Sequence, residues 1–215
     1  MGTRKRSIQR KGQQGKRRRP RNVHQFLIVL NNTDPLVWRR LQVPEDYSFW
    51  DLHVAIQDSM GWLDCHLHEF KVRDESNGRL ERFGIPDDDF PDEAPCFPSW
   101  HGRISDYFVG GAQPASYVYD FGDDWEHAVV YEGAWPATSS SSYPRCLAGA
   151  RACPPEDCGG VHGYAEFLVS IADPRHPEHS ELLEWVGGRY DPDAFDATEV
   201  VFDDPEERWR HAFEK

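Results

Sequence analysis

No stretch of this 215-residue chain approaches the roughly 20 apolar residues of a membrane span, and the amino terminus lacks the apolar segment of a secretory signal. The expectation is a cytoplasmic protein with no membrane partner. Cysteine is scarce and odd in number, five in all, and no C-x2-C pair occurs. That excludes a zinc ribbon and a C-x-x-C redox motif, and it points to reduced thiols, free or metal-bound, in place of a disulfide framework. Acids are missing from the first 21 residues.

What is present divides the chain by charge. Arg4, Lys5, Arg6, Arg10, Lys11, Lys16, Arg17, Arg18, Arg19 and Arg21 place ten of the 24 basic residues in that opening segment. The remainder holds 14 basic against 37 acidic residues, a net of −23 that the overall −13 conceals. Residues 1–21 cannot bury enough apolar surface to fold and are expected to be a disordered basic tail. A block of one charge suits sequence-indifferent contact with nucleic acid phosphates, carried here by Arg4, Lys5, Arg6, Lys16, Arg17, Arg18, Arg19 and Arg21. Docking on the acidic remainder, or solubility alone, is the plainer reading of the same residues. From residue 22 to 215, 39% apolar composition overall and eight tryptophans support one folded domain.

Element signals begin at once. "HQFLIVL" and "VWRRLQV", separated by the turn residues "NNTDP", predict a β-hairpin. Ser48 with Asp51 three residues later predicts a capped helix ending at Gly61, with Phe49, Leu52, Ile56 and Met60 on one stripe. "HLHEFKV" then reads as a strand, and hairpin, helix, strand is the order of a β-grasp-like half. Residues 74–115, rich in Pro, Gly and Asp, are expected to be a long exposed insertion with one short helix near residues 104–108. "SYVYDFGDDWEHAVVYE" predicts two strands around a turn at Gly122–Asp124. Helices are predicted over 163–172, in "HPEHSELLEWVGG" and in "PEERWRHAFEK", and a strand in "ATEVVF". The fold class is α+β, one domain of intertwined strand-helix-strand repeats.

Three places carry chemistry. On a strand, His66 and His68 would share the face of Phe70 and Val72, and His127 that of Trp125 and Val129, so all three imidazoles are expected to face the core. A single inward histidine is usually satisfied by one backbone acceptor; three of them, with His53 on the helix, suggest a shared polar site completed by Asp123, Asp124, Glu156 and Asp157. The segment "YPRCLAGARACPPEDCGGVHGY" reads as neither helix nor strand. Its Cys146, Cys153 and Cys158 with His127 have the composition of a closed zinc site, although the C-x6-C-x4-C spacing matches no standard motif, and a stiff clamp over the core is the reading that the segment favours. Asp120, Asp123, Asp124, Glu126, Glu156 and Asp157 offer oxygen ligands for Mg2+ or Mn2+, as phosphoester hydrolysis requires; acids in turns also serve backbone hydrogen bonds.

The segments "VWRRLQVPEDYSFWDLHVAIQDSMGWLDCHLHEF", "YDFGDDWEH" and "PRCLAGARACPPEDCGGVHGY" resemble the successive motifs of the Ri-plasmid third-open-reading-frame family, over about residues 23–200. The resemblance implies an α+β fold and an association with plasmids and other mobile elements, and no particular reaction. A resolvase-like activity would need a nucleophile beside cations that stabilise the pentavalent phosphate. Tyr117, Tyr119 and Tyr131 have acidic neighbours instead. The expected function is an accessory binding or interaction module with a nucleic-acid-contacting tail and an unidentified protein partner. The alternative is a metal-dependent phosphoesterase or nuclease, with Zn2+ or Mg2+/Mn2+ as the implied ion.

Overall fold

The computed structural model describes residues 20–86, 95–110 and 113–214. Arg4, Lys5, Arg6, Lys16, Arg17, Arg18 and Arg19 of the basic segment lie outside them; Arg21 is exposed. Among the described residues, eight strands, β1 (Asn22–Leu30), β2 (Val37–Pro44), β3 (His68–Asp74), β4 (Arg79–Gly84), β5 (Cys96–Pro98), β6 (Ala115–Tyr119), β7 (Trp125–Pro136) and β8 (Arg145–Ala150), form one sheet in the order β5-β4-β3-β6-β7-β1-β2-β8. All neighbours are antiparallel except β4 and β5. The helices are α1 (Phe49–Met60), α2 (Ile104–Tyr107), α3 (Gly160–Ala172), α4 (His179–Trp185) and α5 (Pro205–Phe213). The chain is α+β. The first hairpin and β3 are not paired directly, because β6 and β7 lie between them.

Strand alternation builds the core. Phe26, Ile28 and Leu30 of β1, Phe70 and Val72 of β3, Tyr117 and Tyr119 of β6, and Trp125 and Val129 of β7 are all buried, while Leu27, Val29, Val118 and Val130 on the other face are half-buried. Helix α1 starts where expected: Ser48 Oγ accepts from the Asp51 N–H at 3.2 Å, and Asp51 Oδ2 accepts from the Ser48 N–H at 2.9 Å. It stops at Gly61, whose φ of 95° lets its N–H reach the Gln57 carbonyl at 2.8 Å. One apolar stripe was expected on this helix, but every residue except Asp58 is buried. Phe49, Leu52 and Ile56 join the main core, and the opposite side carries Trp50 and Val54 into a second cluster with Trp100 and Trp209, roofed by α5.

Three sequence expectations are corrected. Segment 74–115 is not simply an exposed insertion, since it supplies β4, β5 and α2 and buries Phe83, Trp100, Ile104 and Phe108. Its apolar residues are sparse because β4 packs only its Phe83 end against the core; Leu80 on the same strand is 61% exposed. Arg145–Ala150, within the cysteine segment, is a strand that covers the edge of β2. Residues 197–202 form no strand: Asp196 Oδ1 accepts from the Thr198 N–H and hydroxyl, a turn that commits the chain before any ladder can form. Among the described residues no helix is long and apolar enough to cross a membrane.

Leu52→Ala and Ile56→Ala should each cost about 2–5 kcal/mol in chemical denaturation, the range for large-to-small changes in a packed core. Leu80→Ala should stay within about 0.5 kcal/mol. An Ile56→Ala protein as stable as its parent would contradict the packing of α1 described here.

Candidate metal centre and buried histidine cluster

The sequence-selected polar residues occupy three places. The first is inside the core. His53 and His68 stack ring on ring, centroids 3.6 Å apart and planes at 11°. Gln57 Nε2 donates to Tyr117 Oη at 2.9 Å, and that hydroxyl lies 2.8 Å from His53 Nδ1, whose other nitrogen lies 2.8 Å from Asp64 Oδ1. Counting donors and acceptors orders the chain. With Gln57 donating, the Tyr117 hydroxyl proton goes to His53 Nδ1, and Nε2–H donates to Asp64. Arg208, which bonds Asp58 Oδ1 at 2.6 Å and approaches Asp64 Oδ2 at 3.6 Å, continues the line toward the surface. Tyr117 is held neutral by burial, which raises its phenol well above the ordinary value.

His68 is less well served. Both its ring nitrogens are buried without a hydrogen-bond partner, and burial, with His53 alongside, depresses its pKa well below the ordinary range. His127 is fully buried, its ring centroid 5.2 Å from that of Tyr117. Its Nδ1 lies 3.3 Å from the Tyr117 carbonyl, Nε2 has no partner, and burial lowers its pKa to about 4.

The second place is at the surface, where two loops meet. His66 precedes β3 instead of lying in it, so it does not face the core with His68; it is half-buried. Its Nε2 stands 3.1 Å from Asp157 Oδ1 and 3.6 Å from Asp120 Oδ2, and the three ligand atoms all lie within 4.8 Å of one another. Among the described residues this is the one group of three His, Cys, Asp or Glu side chains so arranged. Asp120 and Asp157 both take left-handed backbone, φ 57° and 56°, a conformation Asp tolerates better than most residues. Asp120 opens the turn that follows β6, its carbonyl accepting from the Asp124 N–H at 2.7 Å, and Asp157 lies in the turn before α3.

Local bonds hold the two loops together. Trp62 Nε1 donates to the Pro154 carbonyl at 3.0 Å, and the Leu63 N–H donates to Glu156 Oε1 at 2.7 Å. Tyr119, whose ring meets His66 edge to face, gives its hydroxyl to the same Glu156 oxygen at 3.1 Å. Asp123 Oδ2 accepts from the Gly159 N–H at 3.1 Å, and Gly160 lies so close to this turn that a Cβ would stand 2.4 Å from the Asp123 carbonyl oxygen. Only glycine allows that approach.

The third place is the cysteine set, which does not converge. Cys146 sits in β8 and donates to the Ala148 carbonyl at 3.5 Å. No three of His127, Cys146, Cys153 and Cys158 bring ligand atoms within 4.8 Å of one another, so the tetrahedron that composition suggested is not assembled. Burial raises all three thiols, Cys158 to about 12 with Asp123 beside it. They behave as small apolar residues packed against the core.

The model of the family described as plasmid pRiA4b ORF-3-like protein matches residues 22–199. The chain belongs to the plasmid pRiA4b ORF-3-like family. An uncharacterised protein, y4hQ of Sinorhizobium fredii, is 37% identical over 191 residues, covering 87% of this chain and 94% of its own. The crystal structure of a protein of unknown function, MM3350 from Methanosarcina mazei Go1, superposes with a TM-score of 0.79 at 40% identity, over 86% of this chain and all of the other. The family match takes in His53, His66, Asp120, His127 and Asp157, and it begins at Asn22, after the basic segment.

Sequence reasoning placed His66 and Asp157 in one site with His68 and His127, and the structure separates these pairs. Tyr117 and Asp64 were missed as partners of His53. Gln57, four residues after His53 on the same helix face, meets it only through the Tyr117 hydroxyl.

The depressed pKa of His127 fixes the sign of a pH effect. As pH falls from about 6.5, the unfolded chain takes up a proton at this ring while the folded protein does not, so stability is lost until pH passes below about 4. The loss from His127 amounts to about 3 kcal/mol, taking about 1.4 kcal/mol per pKa unit, and His68 acts in the same direction. Denaturation midpoints measured between pH 7 and pH 4 should show a slope that His127→Gln reduces. An unchanged slope in the variant would mean that His127 is protonated in the fold.

Proposed function

We propose that this member of the plasmid pRiA4b ORF-3-like family is a nucleic-acid-associated accessory protein, its α+β body an interaction module and its amino-terminal basic segment the nucleic-acid contact. One observation carries the reading: ten basic residues and no acid in residues 1–21, ahead of a body of net charge −23. The body repels a polyanion, and the segment attracts one by releasing counterions from phosphates, whatever their sequence. A cytoplasmic location fits such a role.

A second reading, metal-dependent phosphoester hydrolysis, is favoured by the convergence of His66, Asp120 and Asp157. An ion held there would act as a Lewis acid on a phosphoryl oxygen or activate a water. Against it stand the acidity of the body and the lack of any Lys or Arg ion pair to these three side chains among the described residues. Hydrolysis of a generic phosphodiester that requires Mn2+, stops on chelation and disappears in Asp120→Asn would establish it.

The first reading predicts that the full chain binds duplex DNA of arbitrary sequence at low salt. Affinity should fall steeply with salt, by a log–log slope of about −0.9 per phosphate neutralised. A chain beginning at Asn22 should not bind. Equal affinity of the two chains, measured by fluorescence anisotropy, would refute the role of the basic segment.

A further inference from the structure

We propose that His66, Asp120 and Asp157 form a binding site for one divalent first-row transition ion, Mn2+ or Zn2+, held between the turn after β6 and the loop before α3. The site does not depend on hydrolysis. The hydrolytic reading depends on the site, so an ion that binds without supporting hydrolysis removes that reading and leaves this one.

The distances favour an ion over a plain salt bridge. Ligand atoms about 2.0–2.2 Å from a common ion in tetrahedral array stand about 3.3–3.6 Å apart, and His66 Nε2 has carboxylate oxygens at 3.1 and 3.6 Å. Neither contact has hydrogen-bond geometry, and Nε2 is a buried nitrogen without a hydrogen-bond partner, although two carboxylates flank it. Charge points the same way. Two carboxylates face one imidazole, which supplies at most one positive charge, whereas a dication neutralises both.

The carboxylates are also prepared for the task. Asp120 is 7% exposed; its Oδ1 is taken by the Gly122 N–H at 2.8 Å, which leaves Oδ2 turned toward His66. The Asp157 side chain is 72% exposed, so the site is reachable from solvent and its remaining coordination positions fall to water. One imidazole with two carboxylates is a mixed nitrogen and oxygen set. That composition suits Mn2+, Fe2+ or Zn2+ better than Ca2+, which takes six to eight oxygens. Around these ligands, Glu156, Tyr119 and the Leu63 N–H brace the wall beside His66, and the contact of Gly160 with Asp123 presses the Asp157 loop onto the Asp120 turn. Gly160 is therefore a positioning residue for the site.

The test uses the full chain, stripped with chelator and dialysed, then titrated with MnCl2 and followed by electron paramagnetic resonance and calorimetry, with ZnCl2 as competitor. One Mn2+ should bind per chain and Zn2+ should displace it. Asp120→Asn and Asp157→Asn should each weaken binding about tenfold or more. His66→Gln should do the same, and Gly160→Ala should weaken binding without removing a ligand, while Cys146→Ser should leave it unchanged. Circular dichroism on each variant confirms folding, and Asp157→Asn, at an exposed position, keeps the test decisive if a buried variant fails to fold. Failure of the folded parent to bind Mn2+ or Zn2+ at millimolar concentration would overturn the proposal. Binding that Asp157→Asn and His66→Gln leave intact would overturn it equally.

Discussion

Antiparallel pairing of Asn22–Leu30 with the strand 125–136 is the seam on which this molecule is assembled. On one side of it lie β2 and β8, on the other β6, β3, β4 and β5. The two strands come from distant parts of the chain, so the loop-closure cost of bringing them together must be met by what the seam buries. Phe26, Ile28 and Leu30 alternate inward beside Trp125, His127 and Val129, and every one of these side chains is buried. A slip of one residue would turn all of them outward, which is why the register is specified so firmly.

On its other edge β7 pairs with β6, which sets His127 beside Tyr117 and, through Tyr117, near the His53–His68 stack. Buried polar groups are tolerated when their bonds are made, and the run from Gln57 through Tyr117 and His53 to Asp64 makes them. His68 and the outer nitrogen of His127 do not. These rings remain neutral because charging them inside the core is costly, and their contribution to stability is therefore tied to pH. His53 of α1 stacks on His68 of β3 and so joins the helix to the sheet, while His66 stands apart from them at the surface.

Surface chemistry depends on a second closure. Turn 120–124 and loop 153–160 meet because Gly160 permits backbone to approach backbone and because Trp62 and Leu63 bind the loop from the end of α1. Asp157 reaches His66 only through this contact. The residues proposed to ligate and the residues that press the loops together are thus different sets, and the Gly-Gly of the loop belongs to the second.

The capped start of α1, its stop at Gly61, the first hairpin, the strands around Gly122–Asp124 and the last helix were legible from residue patterns, because each is decided within a few residues by capping, alternation or turn chemistry. Strands β4 and β8 were not, since β8 is an edge strand and β4 lies next to the other edge, and both carry few buried side chains and little periodicity; the false strand at 197–202 failed because a local turn at Asp196 forestalled it. Inward orientation could be read for His68 and His127 from alternation within their strands, yet not for His66, which stands two residues before its strand begins. The sequence by itself determined the charge division, the α+β class and the types of side chain available for chemistry. Which of them meet was decided only by tertiary structure, because His66, Asp120 and Asp157 lie on three separate connections whose approach depends on long-range strand pairing and on one glycine contact that no local pattern encodes.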